Sequence, residues 1–467
     1  MTKYEQHILQ YQDSQFSPSK IMASLRMQKQ DGYLLDINNQ TTLESTKLIY
    51  LGLHPQLKIT YKAGVINTNQ EVKPGKLKPY LEKLMSDYQF DNQATPLPFS
   101  GGLVGYLAYD YVKDNIPNYP KVANPFNLDD AAFMLFTEVI AFNPETNQVT
   151  LIQNLPSGTQ PTLTALKTEL TNLQAQFIDY PELNITKLLT PKFKKPTYQK
   201  LIHKTIEHIY RGDIFQMILS NPLQGEATGD LLALYQQLQG TYHFYFSLGD
   251  FQTVTASPET LLRKIKTNLA TFPLAGTRRR GKNKAEDQKF ANVLHTDPKE
   301  IAEHNMLVDL GRNDLGAVSQ FNSVHVTEHM VLKKYQQVMH LASTVESQIS
   351  PDKSALDALN AVFPAGTLSG APKVSAMKII GNLEQQHRGI YGGTFGYLDF
   401  NGDCDFAIGI RLAHKKGKHL TVHSGAGIVA DSIPDHEYQE CFNKSRVIVN
   451  GLRKTTKTEV LNHDSLN

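Results

Sequence analysis

The stretch DPKEIAEHNMLVDLGRNDLG, residues 297–316, places two carboxylates three residues apart. Asp297 is a candidate N-cap, Pro298 suits the first helical position, and Glu300 falls where a capping-box acid would lie. The pattern therefore predicts a helix that begins here. Because residues three apart share one face of a helix, Glu300 and Glu303 are expected to project together.

A second stretch, DSIPDHEYQECFNKSR, repeats this arrangement far downstream. Pro434 is expected to open a helix, and Glu437 and Glu440 follow, again three residues apart. Two acidic pairs that met would repel each other unless a hard cation lay between them. The alternative is that Glu300 only caps its helix and that the other carboxylates lie on a solvated surface.

The composition is that of an ordinary globular protein and excludes several classes. The chain has 467 residues, 40% hydrophobic and 20% charged, and its 47 Lys and Arg nearly balance 45 Asp and Glu. Without a basic stripe interleaved with aromatic residues, nucleic acid is not an expected partner. The chain carries no apolar h-region at its start and no run of about 18 apolar residues, so we expect a cytoplasmic protein without a membrane segment. Cys404 and Cys441, the only cysteines, are expected to be reduced thiols.

The first half alternates segments typical of strands with turn signals. Residues 57–68, 136–143 and 148–154 have strand character, and NPETN separates the last two. An antiparallel region with packed helices is the natural interpretation. The segment KLLTPKFKKPTY is the best candidate linker, with a boundary near residues 180–195. We therefore predict domains at 1–180 and 190–455.

The second half contains two isolated polar residues in apolar surroundings. Gln216 lies in a predicted buried strand, residues 214–219, where an amide is more often a structural hydrogen-bonder than a catalytic group. Glu259, in the tripeptide SPE, suits either a general acid or the first turn of a helix. The residues alone leave both alternatives open.

Four further clusters combine glycine with polar or charged groups. These are PLAGTRRRG, FPAGTLSGAPK, the predicted hairpin RGIYGGTFGYLDFNGDCDFAIGIRLA, and VHSGAGIVA, whose backbone amides suit a carboxylate. For PLAGTRRRG a solvated basic turn is as good an interpretation as an anion site, and FPAGTLSGAPK indicates a tight loop. Together the four clusters describe a site for a small molecule with more than one carboxylate. The residues concerned are Gly276, Thr277, Thr367, Tyr391, Arg411, Gly425, Ala426 and Gly427.

The order of these motifs resembles that of the chorismate-utilising enzymes, and most closely that of the anthranilate synthase large subunits among them. The motifs are GDIFQ, SPE, PLAGTRRRG, DPKEIAEHNMLVDLGRNDLG, VMH, FPAGTLSGAPK, RGIYGG, IR, GAGIVADS and EYQE. Residues 198–452 resemble the chorismate-binding domain, and the first half resembles the family's N-terminal domain. The resemblance implies an α+β fold, with large antiparallel sheets in a layered sandwich and helices outside. It also favours the functional interpretation of the four glutamates and of Glu259.

The resemblance assigns roles to individual residues. Glu259 matches the acid that protonates the leaving hydroxyl of chorismate, and His340 matches the histidine associated with pyruvate elimination. Mg²⁺ is implied as the cofactor, held directly by Glu303 and Glu440 and through water by Glu300 and Glu437. The remaining matches concern substrate binding: Gly276, Thr277, Thr367, Tyr391, Arg411, Gly425, Ala426, Gly427 and Lys444.

Three sequence features distinguish this chain from other types of chorismate-utilising enzyme. Relatives that add water carry lysine where this chain has Gln216, so ammonia is the expected nucleophile. Relatives that make the 4-amino isomer, the aminodeoxychorismate synthases, typically carry lysine where this chain has Ala275. They also commonly read SITGAPK where this chain reads TLSGAPK. The expected reaction converts chorismate and ammonia to anthranilate and pyruvate; the alternatives are the 4-amino isomer and binding without turnover.

Two partners follow from the resemblance. Ammonia is expected from a separate glutamine amidotransferase subunit, since no glutaminase domain is evident in the sequence. Tryptophan, the feedback inhibitor of related enzymes, binds LLES and NPSPYM motifs there. This chain keeps TLES, with Leu43, Glu44 and Ser45, but has LQGTYH in the second position, with Tyr242 and His243. Tryptophan binding is therefore expected to be weakened or altered.

Overall fold

The computed structural model describes residues 3–39, 46–90, 95–334 and 338–462. Leu43, Glu44 and Ser45 lie outside the described residues. The first half of the chain contributes eleven of the described strands. They are β1 (Lys3–Gln12), β2 (Gly32–Asn39), β3 (Thr46–Gly52), β4 (Leu57–Lys62), β5 (Val65–Thr68), β6 (Val72–Pro74), β7 (Gln89–Phe90), β8 (Gly102–Leu107), β9 (Ala131–Phe136), β10 (Glu138–Asn143) and β11 (Gln148–Pro156).

The second half contributes further strands in the same antiparallel style. They are β12 (Leu183–Pro191), β13 (Gln216–Ser220), β14 (Leu223–Gly229), β15 (Tyr242–Leu248), β16 (Phe251–Ser257), β17 (Thr260–Ile265), β18 (Asn268–Thr271), β19 (Leu274–Arg279), β20 (His325–Lys334), β21 (Val338–Gln348), β22 (Gly370–Ala371), β23 (Thr394–Asp399), β24 (Cys404–Ile408), β25 (Leu412–Lys416), β26 (His419–His423) and β27 (Gly425–Ile428).

Helices connect these strands and cover the sheets. They are α1 (Pro18–Met27), α2 (Leu77–Ser86), α3 (Leu163–Ala175), α4 (Lys195–Tyr210), α5 (Leu232–Tyr235), α6 (Lys284–Thr296), α7 (Pro298–Gly316), α8 (Ala355–Val362), α9 (Lys373–Glu384) and α10 (Pro434–Thr456), with 3₁₀ helices at Tyr109–Asp114 and Gly366–Leu368. In the part of the chain that the structure describes, none of them combines the length and apolar character that crossing a membrane requires.

The strands form two large sheets and one small sheet. The first large sheet has the order β12-β14-β26-β25-β16-β15-β2-β3-β10-β11-β1-β7. The second has the order β19-β21-β18-β17-β24-β23-β8-β9-β4-β5-β6, with β20 also paired to β21. The small sheet has the order β22-β13-β27. Nearly all the pairs are antiparallel, which confirms the predicted α+β class with large antiparallel sheets.

Side-chain alternation along the strands builds the layers. On β2, Tyr33 and Leu35 face a core shared with the second sheet, whereas Leu34 faces a second core that includes residues of α1 and α3. Between the sheets, the ring of Phe244 stacks on that of Phe395 with centroids 4.8 Å apart. Successive strand residues point to opposite faces, so neighbouring residues of β2 reach different cores. The first sheet is therefore covered on both faces, by the second sheet on one side and by helices on the other.

Both acidic helices begin where the sequence predicts. Helix α7 starts at Pro298, and the carbonyl of Asp297 accepts the amide of Ile301 at 3.1 Å, as at an N-cap. Helix α10 starts at Pro434. The prediction of one strand over residues 57–68 is wrong. Ala63 and the following glycine both have positive φ, so this stretch turns back as the β4–β5 hairpin.

The two halves of the chain share both large sheets. In the first, Tyr242 of β15 lies opposite Ile37 of β2; in the second, Tyr397 of β23 lies opposite Val104 of β8. The predicted boundary at residues 180–195 falls on β12, which pairs with β14. The division into 1–180 and 190–455 stays a prediction, and strand pairing crosses it twice.

Residues 1–180 expressed alone are expected not to unfold cooperatively in urea. Without the second half, β2 loses its partner β15 and β8 loses its partner β23, so two sheets would end on unpaired, apolar edges. Co-expression with residues 181–467 should restore a soluble complex, monitored by circular dichroism and size exclusion. A cooperative transition in the isolated fragment would show that the first half is an independent folding unit.

Candidate active site

Glu259 lies between β16 and β17, and its carboxyl is the central acid of the site. Thr367, in the 3₁₀ helix at Gly366–Leu368, donates its hydroxyl to Glu259 Oε1 at 3.1 Å. Burial raises the pKa of Glu259 to about 7, although the Thr367 hydrogen bond and the charge of Arg411 oppose the shift. The alternative that Glu259 begins a helix is wrong, because strand β17 follows it directly.

His340 lies on β21, directly opposite Thr277 of β19. The Nδ1 atom of His340 lies 3.0 Å from the carbonyl oxygen of Gly276. Burial, reinforced by Arg411, lowers the pKa of His340, so the imidazole is neutral near pH 7. Because a carbonyl only accepts, Nδ1 carries the proton and Nε2 has the lone pair.

Arg411 connects the two titratable groups. It lies between β24 and β25 with φ of 49°, in the left-handed region, and its carbonyl accepts the amide of Ala256 at 3.0 Å. A non-glycine residue in that conformation typically costs about 1–3 kcal/mol and is often found at functional sites. The charge of Arg411 acts on both Glu259 and His340. The structure thus brings together an acid, a neutral imidazole and a guanidinium that the sequence separates widely.

Gly276 allows the β19 backbone to approach helix α7. Its φ is +64°, and a Cβ placed there would lie 3.0 Å from Glu300 Oε2 and 2.8 Å from Leu294 Cδ2. A side chain at this position would therefore displace the carboxylate or strain the strand. Glu300 consequently lies beside the same backbone whose carbonyl contacts His340.

The acidic pairs have partners within the protein. Arg278 Nη1 lies 3.5 Å from Glu300 Oε1. Ser432, just before α10, donates its hydroxyl to Glu437 Oε1 at 2.9 Å. Lys444 Nζ lies 3.4 Å from Glu440 Oε1, and its side chain is half exposed. Three of the four predicted ligand carboxylates are thus partly neutralised or hydrogen-bonded.

Across residues 3–39, 46–90, 95–334 and 338–462, no three acidic, histidine or cysteine side chains lie close enough together to hold an ion. Glu300 and Glu303 lie on α7, whereas Glu437 and Glu440 lie on α10. Carboxylate oxygens are the correct donor type for Mg²⁺. The two pairs of glutamates thus have the right donor atoms for Mg²⁺ but lie on two different helices.

The predicted amide cluster is an edge strand of the small sheet. On β27, Gly425, Ala426 and Gly427 lie opposite residues of β13, with Ala426 opposite Leu219. In an antiparallel pair, successive amides alternate between the partner strand and the other side. Part of this amide row therefore faces away from β13, where a carboxylate can accept from it.

Tyr391 lies against this amide strand. Its ring stacks on His423 with centroids 4.3 Å apart and an interplanar angle of 11°. A Cβ on Gly425 would lie 2.8 Å from the Tyr391 hydroxyl oxygen, so the hydroxyl is adjacent to the amides. Burial raises the pKa of Tyr391, which keeps the phenol a neutral donor.

Gln216 begins β13 and is buried in the same small sheet. It lies opposite Ala371 of β22, within the TLSGAPK motif. The small sheet therefore carries Gln216 and the Gly425–Gly427 amides on neighbouring strands.

A separate cavity of about 470 Å³ lies on the other side of the first large sheet. Its lining includes Asp36, Lys47 and His243. The His243 ring stacks on Tyr235 at 3.7 Å, with its Nδ1 3.6 Å from Asp36 Oδ2. Tyr242 points the other way, and its hydroxyl donates to Asp405 at 2.7 Å. Sequence reasoning missed Asp36 and Lys47, although their alternation on β2 and β3 places them on one face.

The sequence of the chain is similar to those of known proteins. The model of the family described as chorismate binding enzyme matches residues 34–450. Anthranilate synthase component 1 from Lactococcus lactis is 35% identical, over 86% of this chain and 91% of that protein. Anthranilate synthase component 1 from Methanothermobacter thermautotrophicus is 36% identical, over 93% of this chain and 92% of that protein.

Two solved structures have a similar fold. Anthranilate synthase component I from Streptococcus pneumoniae superposes with a TM-score of 0.77 at 32% identity, covering 88% of this chain and 94% of that one. The menaquinone-specific isochorismate synthase from Escherichia coli has a TM-score of 0.71 at 19% identity, over 97% and 95%, and shares the fold. On this evidence the chain belongs to the chorismate-binding enzyme family.

Proposed function

We propose that the chain converts chorismate and ammonia to anthranilate, pyruvate and water. The observation that carries this proposal is a carboxyl with a pKa near 7, Glu259, that shares a site with Arg411 and the neutral imidazole of His340. An acid and a base of this kind suit a reaction with one proton donation and one proton abstraction. Relatives named anthranilate synthase component 1 support the same reaction.

In the first step, Glu259 protonates the 4-hydroxyl of chorismate. Ammonia forms a bond to C2, the ring double bonds shift, and the C4–O bond breaks so that water leaves; the ammonium group formed at C2 then releases one proton to solvent. Hydroxide is a poor leaving group, so general acid catalysis is needed. The carboxylate that remains is stabilised by the Thr367 hydroxyl and by the charge of Arg411.

In the second step, the ring becomes aromatic as pyruvate leaves. His340 takes the proton from C2, the bond from C3 to the enolpyruvyl oxygen breaks, and the released enolate gains a proton. A neutral imidazole is required for this role, and the lowered pKa of His340 supplies it. The Nδ1 contact with the Gly276 carbonyl leaves Nε2 as the base.

Substrate recognition depends on groups that face a dicarboxylate. Arg411, Tyr391 and the amides of Gly425–Gly427 are proposed to hold the two carboxylates. Gln216 does not titrate, which favours ammonia over activated water as the nucleophile. Ala275, buried on β19, favours the 2-amino over the 4-amino product.

Mg²⁺ is proposed to bind together with chorismate. Glu303 and Glu440 would ligate it, with Glu300 and Glu437 acting through water. When bound, the ion withdraws electron density from the ring through its carboxylate. The donor chemistry of the four glutamates fits this ion, and the substrate carboxylate would add the ligand that α7 and α10 lack.

Ammonia is proposed to come from a glutamine amidotransferase subunit. The isolated chain, supplied with chorismate, Mg²⁺ and ammonium at mildly alkaline pH, is expected to form anthranilate, identified by its fluorescence and mass. With glutamine in place of ammonium, or after removal of Mg²⁺ by EDTA, we expect no product. Isochorismate as product would contradict the role of Gln216. An aminated product that keeps its enolpyruvyl group would contradict the role of Ala275 or of His340.

Glu259→Gln is expected to lower kcat by about 10²–10⁴-fold, the usual contribution of a positioned acid. In the wild type, kcat/KM for chorismate, normalised to the concentration of free NH₃, should fall as pH rises through about 7, because only the protonated carboxyl of Glu259 donates. The variant should lose this alkaline limb. A pH-independent normalised rate in the wild type would exclude Glu259 as the acid.

The same substitution has a readout that needs no substrate. The pKa of Glu259 is raised on folding, so its contribution to stability is present below the unfolded pKa and is lost as pH rises through about 7. Glu259→Gln should therefore have the larger free energy of unfolding at pH 8 and a similar one at pH 5. Equal values at pH 8 would mean that the carboxyl is not buried in solution.

Tryptophan is proposed as an effector that occupies the cavity beside His243. Lys47 and Asp36 offer one cation and one carboxylate, which complement the two charged groups of an amino acid. The volume of about 470 Å³ accommodates an indole side chain. His243 lies in the wall of this cavity. It belongs to LQGTYH, the segment that stands where feedback-sensitive relatives have NPSPYM.

Calorimetry should therefore detect tryptophan binding that is weaker in Lys47→Ala by about tenfold or more, the effect of one lost charge-assisted contact. Lys204→Ala, on an exposed position of α4, is the matched control and should bind as the wild type does. Binding unaffected by Lys47→Ala would place tryptophan elsewhere or exclude a role for this cavity.

A further inference from the structure

Arg388 and Glu384 form an ion pair in the interior, at the end of α9. Arg388 is 1% exposed and Glu384 4%. The guanidinium donates from Nε to Glu384 Oε2 at 2.8 Å and from Nη2 to Oε1 at 2.6 Å, a bidentate contact. Arg388 lies in the RGIYGG motif, yet nothing in the proposed reaction uses it.

The remaining hydrogen bonds of this pair reach two segments of the candidate site. Arg388 Nη1 donates to the carbonyl of Leu368 at 2.8 Å, and Nη2 donates to the carbonyl of Ile218 at 2.8 Å. Glu384 Oε1 in turn accepts the amide of Ser220 at 2.7 Å. The pair thus joins the 3₁₀ helix at Gly366–Leu368 to strand β13.

These two segments hold functional groups directly. Leu368 follows Thr367, whose hydroxyl donates to Glu259. Ile218 and Ser220 lie opposite Gly427 and Gly425, so β13 sets the position of the amide strand. A movement of Arg388 would therefore reach both the acid and the carboxylate-binding amides.

Arg388 also contacts the aromatic wall of the site. Its guanidinium lies 5.8 Å from the ring centroid of Tyr391 and 4.5 Å from that of Tyr109. Tyr391 stacks on His423 at 4.3 Å. The Tyr391 ring is therefore in contact with both Arg388 and His423 within the same buried layer.

A buried ion pair is weak evidence for stability, because desolvation of both charges offsets their attraction. An apolar pair of similar volume would serve packing equally well. What an apolar pair cannot do is donate to two carbonyls and accept an amide from separate segments. We propose that Arg388 and Glu384 are positioning residues for the reaction, fixing the Thr367–Glu259 hydrogen bond, the β27 amides and Tyr391 relative to one another. This inference rests on the proposed function.

The test compares Arg388→Lys with the double variant E384L/R388M. Lysine keeps the charge but loses the bidentate fork and the two carbonyl contacts. The double variant removes both charges, so no unpaired charge is left buried. R26M/D230L is the matched control, because Arg26 and Asp230 form a buried pair at 2.9 Å that joins α1 to the loop after β14, away from Glu259.

Both test variants are expected to fold, with kcat lowered about 100-fold, the effect of a displacement near 1 Å at a catalytic group. The control pair should keep kcat within a factor of about three. Loss of the Thr367 contact should also move the alkaline limb of kcat/KM to higher pH, since that hydrogen bond lowers the pKa of Glu259. A double variant with wild-type unfolding free energy and wild-type kcat would overturn the proposal.

A second readout separates this inference from the proposed function. Asp110 is also buried with a raised pKa, so the difference in unfolding free energy between each protein and its Glu259→Gln derivative is what reports the pKa of Glu259 without substrate. Arg388→Lys should move upward the pH at which this difference changes. If the wild type makes no anthranilate but this shift is found, the positioning role stands and the reaction is misassigned. If Arg388→Lys leaves both the shift and kcat unchanged, the pair is structural only. If E384L/R388M does not fold, the Arg388→Lys measurements decide the question.

Discussion

Pairing between strands that lie far apart in the chain holds the candidate site together. Strand β13 pairs with β27, β17 with β24, and β19 with β21, and each pair carries a functional group near its end. Glu259 and Thr367, which share a hydrogen bond, are 108 residues apart. The site therefore depends on complete pairing in the second large sheet and in the small sheet, which joins segments far apart in the chain.

Desolvation then gives the site its chemistry. The same exclusion of water raises the pKa of Glu259 and lowers that of His340, so that one group holds a proton at neutral pH and the other does not. Arg411 opposes the first shift and reinforces the second. A protein that optimised stability alone would hydrogen-bond Glu259 more fully; the single Thr367 contact leaves its acidity poised near the working pH.

Local signals made part of this predictable from sequence. Pro298 and Pro434 mark helix starts because proline is favoured at the first helical position, and the α+β class follows from alternating strands. The β4–β5 turn was missed because Ala63 carries no strong turn signal. The partners of Glu259 could not be derived, since they depend on which distant strands pair. Arg388 stood in a recognised motif, but its buried contacts become visible only in three dimensions.

The acidic pairs have charge partners in the structure that their spacing in the sequence does not reveal. Four glutamates that met without a cation would repel, and their spacing in the sequence left open whether a cation lies between them or whether they lie on a solvated surface. In the structure, Arg278 approaches Glu300, a serine hydroxyl donates to Glu437, and Lys444 approaches Glu440. The protein supplies its own counter-charges, and the pairs stay on separate helices. Mg²⁺ bound as proposed would compete with Arg278 for Glu300 and with Lys444 for Glu440, and the substrate carboxylate would add a ligand that offsets this competition.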